Sequence, residues 1–109
     1  MAQTHKRLGR TTPAAATNTT SYTAPASTKA LITSIIVSNT GAAAETMRIF
    51  AVPSGGSAGV TNALYYDVPV PDNDTFVANI AVLLETGDFL VVYSLGGALT
   101  FTTSGIEIT

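Results

Sequence analysis

Lys29-Ala30-Leu31-Ile32-Thr33-Ser34-Ile35-Ile36-Val37-Ser38-Asn39 decides the fold class. The run holds no glycine or proline and is dense in β-branched residues, which favour a pleated surface over a helix. Turn-prone residues bound it on both sides, Pro25–Thr28 before and Asn39-Thr40-Gly41 after. Strict alternation puts Leu31, Thr33, Ile35 and Val37 on one face, the expected core side. Ile32, Ser34, Ile36 and Ser38 fall on the other. Two isoleucines on that second face make it unlike a plain solvent face.

Outward from this strand the same period recurs. Glu45–Val52 sets Met47, Ile49 and Ala51 against Thr46, Arg48, Phe50 and Val52, again with apolar groups on both faces. A second packed layer or a contact with another copy would account for that. Pro53–Thr61 reads as an exposed glycine-rich loop. Ala63–Val68 is a short strand in which one of the adjacent Tyr65 and Tyr66 must face outward. Pro69–Asp74 reads as a rigid turn. Thr75–Leu84 alternates Phe76, Ala78, Ile80 and Val82 against Val77, Asn79, Ala81 and Leu83. Phe89–Tyr93 is nearly all apolar, as a central strand requires, and Leu99–Ile108 closes the chain with a bulge at Ser104-Gly105. Seven or eight short strands and no apolar stripe at helical spacing predict an all-β fold. The expected form is a single antiparallel β-sandwich, jelly-roll-like, over residues 20–109. Residues 1–19 are expected to be an extended N-terminal arm, because Met1 and Leu8 are its only large apolar residues and Pro13 opposes helix.

At 109 residues and 11.2 kDa the chain is one domain. It has no cysteine, hence no disulfide, thiolate nucleophile or cysteine metal site. Charged residues are 11%, far below the average of about 25% for a soluble domain. Eighteen threonines and sixteen alanines leave a surface of hydroxyls and small apolar groups. That composition fits a component whose faces are covered by neighbours. Lys6, Arg7 and Arg10 give the first ten residues a charge of +3; two basic and seven acidic residues give the remainder −5. Such an arm suits an acidic protein surface. Three charges are too few to point to nucleic acid, which is not expected as a partner. No apolar run has the length of a signal peptide or a membrane span, so no membrane is expected.

Nothing assembles into an enzyme. His5 lies in the arm without an acidic neighbour, so no serine triad is expected. Ser54–Gly59 lacks the lysine and following helix of a phosphate loop. Asp67, Asp72 and Asp74 fit no calcium-loop register, and turn formation explains them; whether they hold a cation stays open. No carboxylate pair marks a glycosidase cleft. Phe76, Phe89 and Phe101 are expected in the core. Ile32, Ile36, Phe50 and Tyr65 or Tyr66 are the expected self-association surface, unless an extra layer of the same chain covers them. No catalytic residue, cofactor or metal is expected.

The order Leu8-Gly9, Tyr22-Thr23-Ala24-Pro25, the strand ending at Asn39, Leu64-Tyr65-Tyr66-Asp67-Val68-Pro69-Val70, Asp74-Thr75-Phe76, Gly87-Asp88 and Gly105-Ile106-Glu107-Ile108 resembles small β-sandwich virion proteins of tailed bacteriophages. These are variously called decoration (cement), head-fibre or tail-associated proteins. The segment Ala26-Ser27-Thr28 lacks the glycine expected after Pro25. The resemblance implies a non-enzymatic structural protein, foremost a capsid decoration protein that binds the major capsid protein across capsomer junctions as a homotrimer. Lys6, Arg7, Leu8 and Arg10 would then be the docking arm, and the outer surface of the particle, assembled in the host cytoplasm, would be its location. The alternative is a tail, baseplate or fibre-associated module whose loops meet a receptor or glycan.

Overall fold

A computed structural model describes residues 2–109, and these form eight strands and one short 3-10 turn. The strands are β1 (Gln3–Thr11), β2 (Thr19–Thr23), β3 (Lys29–Asn39), β4 (Glu45–Val52), β5 (Ala63–Val70), β6 (Thr75–Leu84), β7 (Phe89–Ser94) and β8 (Leu99–Ile108). They build two four-stranded antiparallel sheets. One has the order β1-β8-β3-β6, the other β2-β7-β4-β5. The protein is all-β, as the period-2 pattern requires.

One buried cluster draws side chains from both sheets. Ile32, Ile35, Val37, Leu99 and Phe101 come from the first, and Met47, Ile49, Val70, Leu90 and Val92 from the second. Burying so many side chains of 1.5–3 kcal/mol each, by the usual area scale of about 25 cal/mol per Å², is what holds the sheets together. Asn39 ties them at one end. Its buried amide donates to the carbonyls of Val70 and Ala43, and its side-chain oxygen accepts from the Gly41 N–H.

Four sequence-based expectations change. First, residues 3–11 are not a free arm. They are β1, hydrogen-bonded along β8 from Gln3 opposite Ile108 to Thr11 opposite Phe101, and Leu8 packs on the core. Second, Ile32 faces the core and Leu31 does not. Thr33 is an extra residue against β8: Ile32 stands opposite Gly105 and Ser34 opposite Ser104. The Thr33 hydroxyl donates to the Ser104 carbonyl, and the inward sequence becomes Ile32, Ile35, Val37. A bulge is thus present at Ser104-Gly105, but the added residue sits on the facing strand. Third, β5 continues through Pro69 to Val70. It can do so because β5 is an edge strand, where a missing N–H is tolerated. Fourth, Ser27 takes the left-handed conformation (φ 56°) in the Pro25–Thr28 turn where a glycine was expected.

Candidate interaction surfaces

The outer face of the first sheet consists of cross-strand rows, because residues opposite one another share a face. One row runs Arg10, Thr102, Ile36, Val77; the next Arg7, Ser104, Ser34, Asn79; the next His5, Ile106, Leu31, Leu83. A β1 bulge between Arg7 and Gly9 is what brings Arg7 and Arg10, three residues apart, to the same side. Ile36, Val77 and Leu83 are 40%, 50% and 49% exposed. This is a mixed apolar and basic face. It is bordered by β6, an uncharged ten-residue edge strand that pairs only with β3.

The sequence-predicted residues divide sharply. Ile36 belongs to this face, as do Arg7 and Arg10, neither of which has an acidic partner among the described residues. Lys6 is engaged within the chain: its ammonium lies 3.2 Å from Glu107, whose other oxygen accepts from the Tyr22 hydroxyl at 2.6 Å. That joins β1, β8 and β2. The Tyr22 hydrogen bond foremost, helped by Lys6 against the opposing effect of burial, holds the Glu107 carboxyl below its ordinary range. Leu8 packs on the core. Ile32 is wholly buried and leaves the interface set.

Phe50 leaves it too. With Val52 and Val91 it forms a second buried cluster on the outer face of the second sheet, covered by Ala58, Ala63, Phe89 and Tyr93. Ala58 of the glycine-rich loop joins Ala63 of β5 and Phe89 and Tyr93 of β7 in this packing, so neighbours within the chain meet the second apolar face of β4. Tyr65 turns inward and meets Phe76 edge-on, ring centroids 5.5 Å apart.

Tyr66 remains outward, 45% exposed, and is the centre of a constellation that spacing alone hides. Met47 stands opposite Val68 and Ile49 opposite Tyr65, so Tyr66 and Asp67 together oppose Arg48. The extra residue puts both on the outer face, and Asp67 adopts φ 53° to do it. The Arg48 guanidinium lies 4.2 Å from the Tyr66 ring centre and 4.5 Å from that of Tyr93. Its Nε donates to Asp67 Oδ1 at 2.6 Å. An open depression of about 210 Å³ lies beside them, lined by Thr46, Arg48, Asp67, Tyr93 and Leu95. Arg48 and Asp67 were not legible as a pair; the signal was the Tyr-Tyr-Asp triplet, whose alternation a bulge alters.

Asp72 and Asp74 do not join Asp67: no group of three or more metal-ligating side chains occurs among the described residues. Asp74 accepts from the Thr75 N–H, the turn role expected of it. His5 stands on β1 opposite Ile106. No helix among the described residues is long and apolar enough to cross a membrane. Compared with models of protein families and with curated proteins, the chain matches none.

Proposed function

We propose that this chain is a non-enzymatic structural protein of a bacteriophage particle, a decoration protein that binds across capsomer junctions and self-associates as a trimer. The observation that carries the reading is the strand order. The order β1-β8-β3-β6 in one sheet and β2-β7-β4-β5 in the other supports reading the fold as an eight-stranded jelly-roll sandwich with Greek-key connections. Jelly rolls are a recurring architecture of viral shells, and they serve as lectins as well, so the order supports the reading by analogy. The second support is the outer face of the first sheet. Its apolar rows and unpaired arginines suit an interface with an acidic protein surface or another copy. In this reading Arg7 and Arg10 dock from a strand of the domain and not from a free arm. The threefold number comes from the family resemblance.

The test is the copy number in purified particles, measured by quantitative mass spectrometry. Hundreds of copies fit the shell. A few to a few dozen fit the alternative, a tail or fibre module, and refute the decoration role. Adding the protein back to particles lacking it should restore their heat resistance, and Arg7→Glu with Arg10→Glu should abolish that rescue.

A further inference from the structure

The geometry points to a binding site for a neutral saccharide at Arg48, Tyr66, Asp67 and Tyr93 on the outer face of the second sheet. The inference does not rest on the particle reading above.

Three observations define the site. The backbone is bent to make it: β5 carries an extra residue opposite Arg48, and Asp67 sits at φ 53° within the strand. Bulges and left-handed non-glycine residues inside strands gather at functional sites because they re-aim side chains. Here the re-aimed pair is Tyr66 and Asp67. Next, the Arg48 guanidinium carbon lies within 4.5 Å of the ring centres of both Tyr66 and Tyr93, with Nε committed to Asp67 Oδ1. Its two terminal nitrogens and Asp67 Oδ2 have no hydrogen-bond partner among the described residues. A fork of donors thus stands beside a carboxylate acceptor. Finally, Arg48 and Asp67 with Thr46 line an open depression of about 210 Å³ whose apolar side is Leu95, 54% exposed, and Tyr93; Tyr66 stands outside it, against the guanidinium.

Each feature narrows the ligand. The charge of Arg48 is balanced by Asp67 at 2.6 Å, which disfavours an anion. The space between the tyrosines is filled by the guanidinium, which excludes a cation held in an aromatic cage. What fits is a small neutral molecule with neighbouring groups that both donate and accept. Vicinal hydroxyls of a pyranose donate to Asp67 and accept from Arg48, while the ring's C–H face covers Leu95 and Tyr93. The depression is smaller than the ~300 Å³ at which drug-sized pockets begin, and matches one ring.

The test is saturation-transfer and chemical-shift NMR with the methyl pyranosides of glucose, galactose and mannose, and with methyl glucuronide as an anionic control. At least one neutral sugar should bind with a dissociation constant on the order of millimolar, as expected for a single exposed ring. Its shifts should centre on Thr46, Arg48, Asp67 and Tyr93, and the glucuronide should bind more weakly. Asp67→Asn keeps the left-handed conformation, which asparagine tolerates, and should weaken binding about tenfold by removing a charged acceptor. Arg48→Lys keeps the charge without the fork and should do the same. No binding by any neutral sugar, shifts centred elsewhere, or unchanged affinity in Asp67→Asn would overturn the inference. So would loss of particle binding in Asp67→Asn without any sugar binding, which would make the site a protein contact.

Discussion

Thr103 and Glu45 show opposite fates of a polar group inside this molecule. Thr103 is wholly buried on β8, and its hydroxyl has no hydrogen-bond partner. An unpaired buried hydroxyl costs roughly 1–3 kcal/mol on mutational scales. Thr103→Val keeps the branched shape and removes that cost, so it should stabilise the fold by about 1 kcal/mol, seen as a higher urea midpoint at unchanged slope. Glu45 is the reverse case. Burial works to raise its carboxyl, but the Ser94 hydroxyl and the N–H groups of Gly96 and Ala98, which donate to it, outweigh that and hold it below its ordinary value. A carboxyl depressed in the folded state stabilises fully above its unfolded value, about 4.3, and loses that contribution as pH falls through the folded one. Glu107 has the same sign. The melting temperature should therefore hold from neutrality to about pH 5 and fall below pH ~4.3. Glu45→Gln should melt lower at pH 7 and show a shallower acid loss, because an amide cannot accept all these bonds. Equal acid slopes in the two proteins would refute the assignment.

Among the elements, β1 is where sequence and structure part. Gln3–Thr11 carries three basic residues and a single large apolar one, so it reads as a solvated arm. Edge strands are often charged to discourage unwanted pairing, which masks them. The bulge between Arg7 and Gly9 also interrupts the alternation that would have revealed a strand. β3 departs from its alternation for the same reason: one extra residue at Thr33 reverses the parity behind it and exchanges Leu31 for Ile32 in the core. By contrast β6 has no such reversal, and its inward set, Phe76, Ala78, Ile80 and Val82, is the one its alternation predicts. Of the site, Tyr66 was legible as one of two outward candidates. Its company with Arg48 depends on a third bulge and on strand neighbours distant in sequence. The position of β1 reverses what a free arm would imply for truncation. Removing residues 1–12 takes away one of the two partners of β8, the cover given by Leu8 and the Lys6–Glu107 pair. Each kcal/mol is worth roughly 4–8 °C in a domain near this size, so the truncated protein should melt at least about 10 °C lower or fail to fold. A melting curve unchanged by the deletion would show that β1 is dispensable to the domain.

For the molecule as a whole, the unanswered demand is the outer face of the first sheet. Scattered exposed apolar residues are ordinary, but Ile36 and Val77 lie in one cross-strand row and Leu31, Leu83 and Ile106 in another, next to an open uncharged edge at β6. A monomer seldom leaves such rows and such an edge unguarded by charge. The face opposite is different: Phe50, Val52 and Val91 are buried there, and its exposed Leu64 and Tyr66 lie on β5, an edge strand that carries Asp67 and Pro69. Self-association should therefore use the first sheet. Two substitutions of one residue type on one strand separate this from a general failure to fold. Ile36→Lys adds a charge to the outer face, where the side chain is already 40% exposed, and should leave the melting transition cooperative while reducing the mass seen by light scattering to 11.2 kDa. Ile32→Lys buries an unpaired ammonium in the shared core and should abolish folding. The wild-type protein at tens of micromolar should scatter as an oligomer. A wild-type monomer under those conditions would refute self-association in free solution, and an Ile36→Lys protein of wild-type mass would move the contact to another face.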